Sequence, residues 1–198
     1  MDLGSIKFNM IEKELKILLT EDQYKLIKER FNWSEDISQI NFYYGGNSDS
    51  IKDNRATVRI RGLSSGMMLQ VKMPVSVEGA VHVKKEFEKE CNIVPYKIDG
   101  STLCKLCSVN DFPDVYLLGH LYTERLVSYY EDNNIIFLDK SVYLGKTDYE
   151  LEIEFNDTLN TQLLSILEGL GLTTNNKVKG KFGRFMERYK GINSILDN

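Results

Sequence analysis

The sequence is 198 residues long, 42% apolar, with a formal net charge of -4. Such a length suits one sizeable core, so a single domain over residues 1–198 is expected. The acidic balance excludes a general nucleic-acid binder, no run of 18 apolar residues offers a membrane span, and residues 1–10 lack a basic-then-apolar leader; a cytoplasmic chain with no membrane partner is expected.

In chain order, Ile11 to Ile17 reads as a strand with Glu12, Glu14 and Lys16 on one face. Thr20, with Gln23 three residues later, opens a helix to about Phe31, with Tyr24, Ile27 and Phe31 at helical spacing. Ile40 to Tyr44 is a strand ended by the Gly45-Gly46-Asn47-Ser48 break. Ala56 to Arg61 and Met68 to Lys72 form a hairpin across the Gly62 to Gly66 turn, with Thr57, Arg59, Arg61, Gln70 and Lys72 on the polar face. A loop from Pro74 to Gly79 precedes a strand from Val81 to Cys91, which places Lys84, Glu86, Glu88 and Glu90 together.

Asp99 to Ser108 is a short helix capped by Asp99 or Ser101. Its Cys104 and Cys107 read as packing thiols, because three cysteines without a leader argue against a disulfide framework. Leu121 to Tyr130 and Ile135 to Asp139 are strands, and Tyr129-Tyr130 reads as packing. Asp148 to Phe155 is the clearest strand of all: Tyr149, Leu151, Ile153 and Phe155 alternate with Glu150, Glu152 and Glu154. A helix capped by Asp157-Thr158 runs to Gly169, and the segment Lys177 to Tyr189 is strongly basic.

A charged strand face is ordinarily the wet side of an open antiparallel sheet. Two features argue for an interior instead. Unbroken carboxylate rows gain only about 0–1 kcal/mol per exposed pair, and seven or eight strands with three helices suit a sheet that closes on itself. A barrel lined by charge must hold water, ions and a polar ligand. Lys and Arg side chains converging from several strands match a polyoxyanion, and clustered Glu oxygens match a hard cation such as Mg²⁺ or Mn²⁺. No G-x-x-x-x-G-K-[ST] loop is present, so an ordinary P-loop nucleotide site is excluded.

Glu12-x-Glu14-x-Lys16 resembles the opening signature of the CYTH superfamily, the triphosphate tunnel metalloenzymes. Arg59-x-Arg61, Lys72, Glu86-x-Glu88, Arg125, Leu138-Asp139, Glu150-x-Glu152-x-Glu154 and Lys181-x-x-Arg184-Phe185 follow in the family's order, over nearly the whole chain. The chain is most similar to the family's uncharacterised bacterial branch. It departs at Asn41-Phe42-Tyr43-Tyr44-Gly45-Gly46, where many relatives have Asn-Tyr-Tyr-Phe-Asp-Thr, so that strand end is given no role.

The resemblance implies an α+β fold dominated by β, an eight-stranded closed antiparallel barrel or tunnel with flanking helices. It implies a metal-dependent hydrolase of a small triphosphate, inorganic or organic, with class IV adenylate cyclase and a non-catalytic polyphosphate-binding module as the alternatives. Glu12, Glu14, Glu152 and Glu154 would hold one or two Mg²⁺ or Mn²⁺ ions. Lys16, Arg59, Arg61, Lys72 and Arg125 would bind the phosphate oxygens and act in catalysis, while Lys181 and Arg184 bind substrate and close one mouth. Glu150, Asp139, Glu86 and Glu88 are further candidates. Whether the chain acts alone or as a homodimer is left open.

Overall fold

A computed structural model describes residues 10–46, 56–78, 81–131, 134–156, 158–174 and 178–196. Among these residues nine strands and four helices are formed: β1 (Met10–Leu19), α1 (Glu21–Arg30), β2 (Glu35–Gly45), β3 (Thr57–Leu63), β4 (Gly66–Glu78), β5 (Val81–Cys91), β6 (Lys97–Ile98), α2 (Gly100–Cys107), β7 (Val115–Tyr130), β8 (Asn134–Tyr143), β9 (Lys146–Phe155), α3 (Thr161–Gly169) and α4 (Lys181–Leu196). The strands hydrogen-bond in the order β2-β3-β4-β5-β1-β9-β8-β7, and β7 pairs again with β2. Eight strands therefore form the closed antiparallel barrel that the sequence led us to expect. The two-residue β6, not foreseen, hangs on β7 outside this ring.

Contacts divide the chain into two compact units whose boundaries cut across strands. The first comprises residues up to 12, 39–76 and 83–120, and the second residues 13–38, 77–82 and 121–198.

In the first unit, Val58, Ile60, Leu69 and Val71 on β3 and β4 pack with Phe87 and with Leu103, Leu106 and Cys107 of α2. Alternation sends Arg59, Arg61 and Gln70 to the opposite face. Arg59 and Gln70 are nonetheless buried, at 7% and 4% exposure, so this polar face is not a wet one. Gly100 opens α2 where only a glycine fits, because a Cβ there would lie 1.8 Å from the Phe112 carbonyl oxygen. The expected Asp99 cap makes no side-chain bond. Asp114 takes its place, accepting the Gly100 N–H at 2.8 Å from a loop 14 residues away. Cys104 and Cys107 are free thiols on α2, and burial pushes the Cys107 thiol up to about 11.

In the second unit, Leu15, Ile17, Ile136, Leu138, Leu151 and Ile153 form a core with Tyr24 and Ile27 of α1 and Leu163 and Leu167 of α3. Thr20 and Gln23 make the full capping box at the start of α1. Helix α3 starts later than expected. Its cap is Asn160, whose Oδ1 accepts the Leu163 N–H at 2.9 Å, so Thr158 and Leu159 precede the helix, and Asp157 lies outside the described residues. Gly171, at φ 74°, supplies the left-handed turn that ends it.

Two further expectations are corrected. Residues 74–78 continue β4 rather than looping, since a proline is compatible with a strand wherever its missing N–H faces no partner. Tyr129 is 60% exposed and donates its hydroxyl to Glu35, so it is a surface side chain, while Tyr130 packs against the core. Among the described residues no helix is long and apolar enough to cross a membrane.

Candidate active site

In the second unit, strand register sets opposite charges side by side. β1 and β9 pair Lys16 with Glu152, Leu18 with Glu150 and Glu14 with Glu154. On β8, Asp139 lies opposite both Arg125 of β7 and Glu150 of β9. The Lys16 ammonium donates to Glu152 and sits 2.8 Å from Glu14 Oε2 and 3.6 Å from Glu150 Oε1. Arg125 grips Asp139 with two parallel bonds of 2.7 and 2.6 Å, and its Nη2 also reaches Glu152 Oε2 at 2.5 Å. Its guanidinium carbon lies 4.1 Å from the centre of the Phe137 ring.

Helix α4 adds two more cations. Lys181 Nζ is 2.8 Å from Asp139, 3.1 Å from Glu152 and 3.4 Å from Glu150. Arg184 donates from Nε to Asp148 at 2.8 Å and from Nη2 to Glu150. The basic segment is thus split. Lys181 and Arg184 are buried, whereas Lys179 pairs with Glu187 at the surface and the exposed Arg188 donates to the Leu144 carbonyl. Lys177 lies outside the described residues.

Burial drives these groups toward neutrality, and their neighbours overrule it. Desolvation alone would lower the Lys16 ammonium, but Glu152, Glu14 and Glu150 hold it well above the usual lysine range. Desolvation would raise Glu152, yet Lys16, Lys181 and Arg125 pull it well below the usual carboxylate range. Asp139, buried between Arg125 and Lys181, is lowered in the same way, and Lys181 is raised against its own burial by Asp139, Glu150 and Glu152. All of these groups are therefore charged at neutral pH.

The first unit carries a second polar cluster of different character. Lys72 Nζ is 3.0 Å from Glu86 Oε2. Arg59 donates from Nε to Gln70 Oε1 at 2.8 Å, and Gln70 in turn donates to Glu88. Arg61 donates from Nε to Asn41 Oδ1 at 3.4 Å. Among the described residues, three buried atoms here have no hydrogen-bond partner: Asn41 Nδ2, Arg59 Nη2 and Glu86 Oε1, the last two forming a long ion pair of 3.9 Å. Unsatisfied buried donors and acceptors are costly, and a cluster of them calls for a bound polar group.

The sequence model of the CYTH domain matches residues 10–181. The chain belongs to the CYTH domain family. A Bacillus subtilis protein, YjbK, provisionally named a triphosphatase, is 29% identical over 151 residues, covering 74% of this chain and 78% of that protein. Among solved structures, HpAC1 from Hippeastrum superposes with a TM-score of 0.69 at 18% identity, covering 89% of this chain and 95% of that one. It is provisionally named an adenylyl cyclase and described by a dominant triphosphatase activity. A Bacillus halodurans protein provisionally named an adenylate cyclase superposes with a TM-score of 0.67 at 20% identity, over 89% of this chain and 98% of its own. These two likenesses show the CYTH barrel fold.

Within this CYTH chain, Glu14, Lys16, Arg125, Asp139, Glu150, Glu152, Lys181 and Arg184 come together in one buried network of the second unit. Glu154 is half-buried and acts electrostatically on Arg125. Arg59, Arg61, Lys72, Glu86 and Glu88 gather in the first unit. Glu12 is on β1, and its side chain lies outside the described residues. Sequence reasoning missed three members: Asp148, which joins the Arg184 end of the network, and Gln70 and Asn41, which hold the two arginines of the Arg59-x-Arg61 pair. Gln70 was legible as a polar-face residue of the hairpin, but a neutral amide gave no sign of chemistry. Asn41 stood in the strand whose departure from the family pattern had set it aside.

Proposed function

We propose that this chain, read as one CYTH domain, is a divalent-metal-dependent triphosphatase that takes phosphate from a small triphosphate, with Mg²⁺ or Mn²⁺. The observation that carries this reading is the buried Arg59, whose Nη2 makes no hydrogen bond among the described residues and only a long 3.9 Å ion pair with Glu86, on a strand face it shares with Arg61 and Lys72. A desolvated guanidinium edge of this kind fits a phosphate oxygen. The name of YjbK and the described activity of HpAC1 support hydrolysis as the reaction.

The donor set fits a hard cation. Glu14 and Glu154 are direct cross-strand partners, so two hard carboxylate donors lie side by side, their like charge offset in this structure by Lys16 at 2.8 Å from Glu14 and by Arg125 acting on Glu154. Among the described residues no three His, Cys, Asp or Glu side chains converge to cage a metal. Two carboxylates, completed by phosphate oxygens and water, are the usual provision for Mg²⁺. Bound there, the ion would supply charge neutralisation on the phosphoryl oxygens.

The protein's own residues then act by exchange. In the structure Lys16, Arg125 and Lys181 are matched to Glu14, Asp139 and Glu152. A triphosphate that draws Lys16 and Arg125 to its oxygens leaves Glu14 and Glu152 in need of a cation. Glu14 and Glu152 would then join the carboxylates that hold the ion. Within the first unit, Arg59, Arg61 and Lys72 are the cations suited to phosphate oxygens and to steadying negative charge that develops on them. Glu150, tied to Arg184, orients the attacking water or remains structural.

The test is phosphate release from tripolyphosphate with Mg²⁺ or Mn²⁺, in wild type, Glu152→Gln and Arg61→Ala. A fall of about 100-fold or more in kcat/KM is expected for each, equivalent to one lost charge-assisted contact of roughly 3 kcal/mol. Wild-type rates in both variants would sink the reading. A second reading, adenylate cyclase, is favoured by the names of the two solved relatives. It is scored in the same assay by supplying ATP and measuring cyclic AMP and pyrophosphate.

A further inference from the structure

The two arginines of Arg59-x-Arg61 are each held by an uncharged side chain directly across the sheet. Asn41 of β2 is the register partner of Arg61, and Gln70 of β4 is the register partner of Arg59. In both pairs the amide oxygen accepts the arginine Nε–H, at 3.4 and 2.8 Å. Arg125 in the second unit is held at the same Nε, but by Asp139, which takes Nη2 as well. The difference is one of charge. A carboxylate at that position fixes the guanidinium and neutralises it, whereas an amide fixes it and adds no negative charge of its own.

We propose that Gln70 and Asn41 are positioning residues that aim the Arg59 and Arg61 guanidinium groups at an anionic substrate without cancelling their charge. The proposal rests on the reading of this face as a phosphate site. Three observations support it. Gln70 is itself fixed, since its amide N–H donates to Glu88, so its oxygen is turned toward Arg59. With Nε occupied, Arg59 Nη2 makes no hydrogen bond among the described residues, and its ion pair with Glu86 Oε1 is a long one of 3.9 Å. Asn41 is fully buried and its Nδ2 also has no partner, which leaves a neutral donor beside the arginine for a phosphoryl oxygen.

The experiment separates aim from charge. Gln70→Glu retains an acceptor for the Arg59 Nε–H and removes the net positive charge; Gln70→Met removes the acceptor and retains the charge. Binding of inorganic tripolyphosphate, pyrophosphate and phosphate is measured by calorimetry on the full chain, alongside kcat and KM for tripolyphosphate hydrolysis. Gln70→Glu should weaken tripolyphosphate binding at least tenfold, with KM rising in step. Gln70→Met should lower kcat about tenfold while affinity changes less. The swap Gln70→Glu with Glu88→Gln keeps the total charge of the wild type and should stay weakened, because the carboxylate now faces Arg59. Melting temperatures identify any variant that fails to fold, and Asn41→Asp serves as the second probe. Wild-type affinity in both Gln70→Glu and Asn41→Asp, or equal losses in Gln70→Glu and Gln70→Met, would overturn the proposal. Wild type that binds the anions but releases no phosphate would overturn hydrolysis alone. Wild type that binds none of the three would overturn both.

Discussion

Lys16 shows what a single side chain contributes in this molecule. Its ammonium lies within 3.6 Å of Glu14 and Glu150 and donates to Glu152, with nearly all of its surface removed from water. Replacing it by a methionine of similar length would remove one cation and leave three carboxylates facing one another. Breaking a buried ion pair on one side costs about 3–5 kcal/mol. Lys16→Met is expected to lose stability of that order in urea denaturation, and Glu152→Gln in the Lys16→Met background should recover part of it. A loss below about 1 kcal/mol would mean that Lys16 is solvated rather than buried among acids. The residue types of this network were legible in the alternation of Glu12-x-Glu14-x-Lys16 and Glu150-x-Glu152-x-Glu154, because a period of two states which residues share a face. Their pairing was not. Which carboxylate meets which cation depends on register between β1 and β9, and on Lys181 arriving from a helix that the sequence showed only as a basic run.

At the scale of elements, the two short helices α1 and α2 begin by different means. Thr20 caps α1 reciprocally with Gln23, at 3.2 Å from the Gln23 N–H and 2.9 Å back to its own N–H. Asp99 precedes α2 in the same way but makes no such bond, being exposed and paired with Lys97 at 2.9 Å. Its expected task falls to Asp114, lowered by its bond to the Gly100 N–H and by Lys97. Thr20→Ala should therefore cost about 1 kcal/mol, the usual value for a lost cap, and Asp114→Ala a similar amount. Asp99→Ala should stay within about 0.5 kcal/mol, as an exposed pair is worth little. Equal effects at Asp99 and Asp114 would refute this assignment. A local pattern such as Thr-x-x-Gln announces its own cap, but a cap supplied from 14 residues away depends on the tertiary path and leaves no local trace.

Over the whole molecule, the charged interior sets how stability varies with pH. Glu152, Asp139 and Asp148 are lowered in the folded state. Their contribution is complete above the ordinary carboxylate range, about 4, and is lost as pH falls through their depressed folded values. Lys16 and Lys181 are raised. Their contribution is complete below the ordinary lysine value, about 10.4, and is lost as pH rises through the higher folded ones. Urea midpoints should thus be nearly flat from about pH 5 to 8 and fall on both sides, first on the alkaline side because the buried Cys107 thiol, pushed up to about 11, ionises earlier in the unfolded chain. A fall between pH 7 and 5 would contradict this account.

The bond from Lys16 to Glu152 also has a consequence in time. The two residues are 136 positions apart, and β1 is paired with β9 from Lys13 to Leu19. During synthesis at the usual 5–20 residues per second, Lys16 waits on the order of ten seconds before its partner is made, and longer before Lys181 joins. A nascent chain lacking β9 carries Lys16 with Glu14 but without Glu150 and Glu152, so the network cannot assemble piecemeal from the N-terminus. Every complete molecule has closed this circuit once, after nearly all of the chain had left the ribosome.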